Sequence, residues 1–121
     1  MACVLIVEDD ADIRGFMTLL LSGYGYDTMT AANGYEALTQ MQQRKPCVVL
    51  LDMMMPVMDG WQFRERQLSD PALADVPVVC LTAIYDPEEV TERLRLPCLQ
   101  KPVELPTLID AVAGACSANG S

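Results

Sequence analysis

Apolar positions recur along this chain with two different periods. The runs "CVLIV" (3–7), "VVLL" (48–51) and "VVCL" (78–81) are continuous and rich in β-branched residues. That is the pattern of strands buried on both faces. "YDTMTA" (26–31) predicts a weaker strand and "CLQ" (98–100) a short one. Between the first two runs, Ile13, Phe16, Met17 and Leu20 mark one helical stripe, ended by "SGYG". Ala37, Leu38 and Met41 mark a second helix, closed before Pro46. Asp59 is placed to cap a third, with Gln62 at the capping-box position and a thin apolar face of Trp61, Phe63 and Leu68. In "DPEEV" (86–90), Asp86 is a cap, Pro87 takes the first helical position and Glu89 completes the box. This helix is expected to be short, from about Pro87 to Leu94, because Pro97 stops it. Leu105, Leu108, Ile109, Val112 and Cys116 give a final amphipathic helix.

Five strand–helix units with short links predict an α/β fold, a doubly wound parallel sheet covered on both faces. The 121 residues suffice for one domain, expected over residues 1–117, with 118–121 a frayed tail. Composition narrows the function. A net charge of −9 argues against direct binding to nucleic acid or an anionic membrane surface. No stretch has the length of a membrane span, and "MACVLIV" lacks the basic region of a signal peptide. Cys3, Cys47, Cys80, Cys98 and Cys116 form an odd set without metal-binding spacing. Most lie in apolar runs, which predicts reduced core cysteines of a cytoplasmic protein.

In a doubly wound sheet, ligands bind beyond the carboxyl ends of the strands, where strand order reverses. The residues there are acidic. Glu8, Asp9 and Asp10 follow the first strand and Asp52 the third, while Thr82 follows the fourth and Lys101-Pro102 the fifth. If the first and third strands flank the switch point, at least three carboxylates converge, a costly arrangement without a cation. Oxygen-only ligands with no His or Cys partner suit Mg²⁺, which keeps waters and accepts phosphate oxygens. A lysine and a hydroxyl are what a phosphoryl group needs in transfer, and Asp52 is the best nucleophile, since a carboxylate can form an acyl phosphate. Singly, each residue has a plainer explanation: a solvated loop acid, a helix N-terminus in "EDDAD", a Lys-Pro turn. Their joint placement at alternating strand ends favours the phosphoryl site.

The segments "LIVEDDADIR", "GYDTMTAANGYEAL", "VVLLDMMMPVMDG", "PVVCLTA" and "CLQKP" resemble, in order and over essentially the whole chain, the response-regulator receiver domain of two-component signalling. The resemblance implies a flavodoxin-like, three-layer fold with five strands in the order 2-1-3-4-5. It makes Asp52 the phosphoacceptor, with Asp9 a direct Mg²⁺ ligand, Glu8 a ligand through water, and the Met54 carbonyl a further one. It assigns Thr82, Ala83 and Lys101 to the phosphoryl group, and Pro102 to the cis-proline often found after that lysine. It also implies a histidine kinase or histidine phosphotransfer protein as donor, a downstream protein as receiver of the signal, and a domain that is not a turnover enzyme.

Two departures fall in the second half. The stretch from Thr82 to Lys101 is about a helical turn shorter than the family's usual spacing, with "RLP" replacing a small-residue pair. Cys98 stands where an aromatic residue is common, leaving Tyr85 as the nearest ring to act as a switch. Met54 and Ile84, apolar at positions flanking the attacking water, predict a long-lived acyl phosphate. Among rivals, a haloacid-dehalogenase-type phosphatase needs a second acid where Met54 stands, and a flavodoxin-like carrier needs a phosphate loop where "VEDDADI" stands. The remaining alternative is a receiver-like interaction module acting without phosphorylation.

Overall fold

The computed structural model describes residues 2–53, 60–82, 98–100 and 104–118, with the backbone alone at Thr82, Gln100 and Ala118. The elements are β1 (Cys3–Val7), α1 (Ala11–Gly23), β2 (Asp27–Ala31), α2 (Gly34–Gln43), β3 (Val48–Asp52), α3 (Gly60–Ser69), β4 (Val78–Thr82), β5 (Cys98–Gln100) and α4 (Leu105–Ala118). All strand pairings are parallel, in the order β2-β1-β3-β4-β5. The sequence pattern predicts this sheet to within a residue or two at each strand end. The helix expected from Pro87 to Leu94 lies outside the described residues.

Successive side chains of a strand point to opposite faces, and the core divides accordingly. Leu5, Val7, Val49, Leu51, Val78 and Cys80 face α2 and α3, where they meet Ala37, Met41 and Phe63. Val4, Ile6, Val48, Leu50, Val79 and Leu81 face α1 and α4, meeting Met17, Leu21, Leu108 and Val112. The three central strands therefore spend nearly every position on burial, which is why they read as unbroken apolar runs.

Helix ends are set by local chemistry. Asp10 caps α1, its carboxylate accepting from the Asp12 and Ile13 amides at 2.9 and 3.2 Å. At the other end the Gly25 and Tyr26 amides close back onto Ser22 and Leu21 carbonyls, at 3.0 and 3.1 Å. Gly25 has φ +90°, a conformation that favours glycine. Asn33 caps α2 by accepting from the Glu36 amide at 3.0 Å.

Three expectations about packing are corrected. The buried residues of α1 are Met17 and Leu21, whereas Ile13 and Phe16 are exposed and Leu20 is half-buried. Periodicity gives the spacing of a stripe, but the tilt of the helix on the sheet decides which edge of it is covered. On α3, Leu68 is exposed and Gln67 is fully buried in its stead. Its amide donates to the Leu73 and Val76 carbonyls, both at 3.0 Å, and accepts from Arg64 Nη1 at 2.8 Å. The buried amide is thus fully partnered and ties the 70–76 segment to the helix. Finally, not all cysteines are reduced: Cys47, ahead of β3, and Cys116, near the end of α4, form a disulfide, with Cα atoms 4.9 Å apart. The two residues are 69 apart in sequence, so only the packing of α4 on the sheet brings them together.

Candidate functional site

The parallel register of β1 and β3 runs from Val4↔Val48 to Val7↔Leu51. One rung further, the same alternation that buries Ile6 and Leu50 on one face sets Glu8 beside Asp52. Glu8 still belongs to the sheet, because its amide donates to the Ala31 carbonyl of β2 at 3.0 Å. Glu8 is 2% exposed and Asp52 is 4% exposed, whereas Asp9 is exposed. Glu8, Asp9 and Asp52 each bring a carboxylate oxygen within 4.8 Å of the others. Asp10, the third acid of the triplet, is occupied as the α1 cap. Arg14, one turn into α1, donates from Nη1 to the Glu8 carbonyl at 2.8 Å, which holds the strand-to-helix corner.

Two backbone hydrogen bonds fix Met53, the residue after Asp52. The Met53 amide donates to the Leu81 carbonyl of β4, and the Gly60 amide to the Met53 carbonyl, each at 3.1 Å. Gly60 must be glycine here, because a β-carbon would lie 2.9 Å from the Met53 Cα and clash with its sulfur. The start of α3 is thereby seated directly against the residue that follows Asp52. Trp61 is partly buried against the same core group as Met53. On the other side of β3, Asp52 is the register partner of Leu81, and Thr82 that of Gln100. The backbone of Thr82 thus ends β4 one position beyond the partner of Asp52. Met54, Ala83, Ile84, Tyr85, Lys101 and Pro102, expected to complete the site, lie outside the described residues.

Three carboxylates so close repel one another unless a cation shares them. The donor set fits Mg²⁺: all oxygen, two ligands buried and fixed, and one exposed, so that the ion could keep waters on the open side.

The model of the response regulator receiver domain family matches residues 4–113. The chain belongs to the response-regulator receiver family. It is 45% identical over 83 residues to the probable transcriptional regulator ycf27 of Guillardia theta, covering 69% of this chain and 32% of that protein. It is 38% identical over 87 residues to the DNA-binding response regulator MtrA of Mycolicibacterium paratuberculosis, covering 72% of this chain and 37% of the relative. The chain thus spans about a third of the length of these relatives. Among solved structures, chemotaxis protein CheY4 of Vibrio cholerae superposes with a TM-score of 0.85 at 31% identity, covering 95% of this chain and 98% of that one. The Francisella response regulator 1452 receiver domain gives 0.88 at 28% identity, covering 98% of both. Receiver domains are signalling modules of two-component systems, and response regulators work with histidine kinases and downstream effectors.

Two features of this receiver emerge only in the packed structure. A glutamine at a helical i+4 position from Phe63 reads as surface until its burial is seen, although its place in the apolar stripe of α3 was the clue. Gly60 and Met53 could not be paired from sequence, because their contact depends on the path of the intervening segment.

Proposed function

We propose that this receiver domain accepts a phosphoryl group on Asp52, with Mg²⁺ held by Glu8, Asp9, Asp52 and the Met54 carbonyl. The observation that carries this is the meeting of three carboxylates at the carboxyl ends of β1 and β3. When bound, the cation supplies charge neutralisation at the cluster and a contact for phosphoryl oxygen. An Asp52 carboxylate oxygen attacks the phosphorus of a phosphohistidine, and the P–N bond breaks as the P–O bond forms. Burial of Asp52 and Glu8 excludes bulk water from one side of the acyl phosphate. Thr82, Ala83 and Lys101 would then take the transferred oxygens, with Pro102 at the family's cis-proline position after that lysine. The domain assists its own phosphorylation and dephosphorylation and is not a turnover enzyme.

The donor would be a histidine kinase or histidine phosphotransfer protein. Support comes from α1, which starts at the acidic cluster and leaves Phe16 and Leu19 66% and 77% exposed. An apolar strip beside the site suits the side of a partner helix that carries the histidine. The working location would be the cytoplasm. Among the described residues no helix is long and apolar enough to cross a membrane. An unidentified downstream protein would receive the signal, with no direct contact to nucleic acid or membrane by this acidic domain.

The test is phosphorylation by acetyl phosphate. Wild type should take up acid-stable, hydroxylamine-labile phosphate only with Mg²⁺ present, and Asp52→Asn should take up none. Full uptake by Asp52→Asn would move the acceptor to Asp9 or Asp10. No uptake by wild type, from acetyl phosphate or from any histidine kinase, would favour a module that binds partners without phosphorylation.

A further inference from the structure

Cys80 and Cys98 are register partners in the parallel ladder between β4 and β5, and their sulfurs lie 3.3 Å apart. Both are free of the Cys47–Cys116 disulfide. Neighbouring strands sit about 4.8 Å apart, within the Cα separation that a disulfide spans, and register partners project their β-carbons to the same face. Closing the bond requires the sulfurs to approach by roughly 1.3 Å, to the usual length of about 2.0 Å. Cys80 is buried, whereas Cys98 is partly exposed and can meet a solute. Burial holds the Cys98 thiol above its ordinary range, and the hydrogen bond with Cys80 offsets only part of that rise. The position matters as much as the distance. Two residues beyond Cys80 the strand ends at Thr82, the partner of Gln100, and Lys101 follows. Cys80 is also the register partner of Leu51, the residue before Asp52.

We propose that Cys80 and Cys98 are an oxidant-sensing pair: a peroxide converts them to a disulfide that staples β4 to β5 and slows phosphoryl acceptance at Asp52. The slowing rests on the Asp52 reading above. The Cys98 thiolate attacks one peroxide oxygen, the O–O bond breaks, and the departing oxygen leaves as water, giving a sulfenic acid. The Cys80 sulfur then attacks the Cys98 sulfur and expels hydroxide, which takes the Cys80 proton and leaves as a second water. Two thiols lose two electrons and two protons, and hydrogen peroxide is reduced to two waters. The new bond draws β4 and β5 together two rungs below Thr82 and Gln100, shifting the end of the strand next to Asp52.

The experiment compares wild type with Cys98→Ser and Cys98→Ala, each before and after hydrogen peroxide, by peptide mapping and by uptake from acetyl phosphate with Mg²⁺. Wild type should yield a peptide linked through Cys80 and Cys98, about 2 Da lighter than the two thiol peptides together. Its uptake should slow roughly tenfold, the scale expected when site groups move by part of an ångström, and recover in dithiothreitol. That recovery separates the effect from methionine oxidation, which dithiothreitol does not reverse. Uptake by the Cys98 variants should be the same before and after peroxide, with Cys47 and Cys116 still joined. Absence of the linked peptide, or a linked protein that takes up phosphate at the reduced rate, overturns the switch. A reduced wild type that takes up no phosphate brings down the Asp52 reading and the switch with it.

Discussion

Asp52, Glu8 and Gln67 are the buried polar or charged residues among those described, and the two acids have a different reason to be there from the amide. The two acids lie side by side at the β1–β3 junction, where a shared cation would offset the cost of burying like charge. Trp61 is close enough to report on this, since it packs on the core group that includes Met53, next to Asp52. A Mg²⁺ titration should change Trp61 fluorescence in a saturable manner, and Asp9→Ala should move the midpoint to higher Mg²⁺. A flat titration of wild type would mean that the ion is not held at this cluster. Gln67 serves the fold instead. Gln67→Leu keeps the volume but leaves carbonyls of Leu73 and Val76 without their amide donor, at a cost of about 1–3 kcal/mol in urea unfolding.

At the scale of the element, α1 carries two separate functions on one short corner. Asp10 ends the acidic triplet as a cap, so it belongs to helix stability although it adjoins Glu8 and Asp9. Asp10→Ala should lower stability by about 1 kcal/mol while phosphate uptake stays dependent on Mg²⁺ and Asp52. Loss of Mg²⁺ dependence in this variant would place Asp10 among the ligands. The register of β3 against β1 and β4 then positions the strand ends, and the bonds from Met53 to Leu81 and from Gly60 to Met53 carry that position into α3. Gly60→Ala should therefore disturb both fold and site: a loss of about 1–3 kcal/mol from overpacking on Met53, with a shifted Trp61 emission maximum in the folded protein. An unchanged spectrum and stability would show that α3 yields freely at its first turn.

For the whole molecule, the Cys47–Cys116 disulfide closes a long loop, joining the amino end of β3 to the last turns of α4. In the chain-entropy account, a loop of this size contributes up to about 4 kcal/mol by restricting the unfolded state. Cys116→Ser should therefore unfold at lower denaturant concentration, by roughly 2–4 kcal/mol. Uptake at Asp52 should change little, because β3 separates Cys47 from the site by some 16 Å of extended chain at about 3.3 Å per residue. Equal stability of wild type and variant would mean that the bond is open in solution. Cytosolic thiol buffers keep most cysteines reduced, so trapping with an alkylating agent at lysis also tests the cytoplasmic placement.

Strand positions and the acids at strand ends were legible in the chain because they obey local rules, while the caps expected at Asp59 and Asp86 lie outside the described residues. A strand buried on both faces must be apolar throughout, and the residue after a central strand emerges at the crevice. The order 2-1-3-4-5 came with the family resemblance, since handedness alone leaves several doubly wound orders open. Tertiary structure alone decided which edge of the α1 stripe is covered, that Gln67 and not Leu68 enters the core, and that five cysteines divide into a disulfide, a facing pair and a single buried thiol at Cys3. It also decided that Glu8, Asp9 and Asp52 meet while Asp10 turns away to cap. Most of these depend on how separate elements pack against one another, fixed by strand register and helix tilt. Such quantities emerge only when the layers pack, because no local propensity distinguishes one tilt, or one cysteine partner, from another.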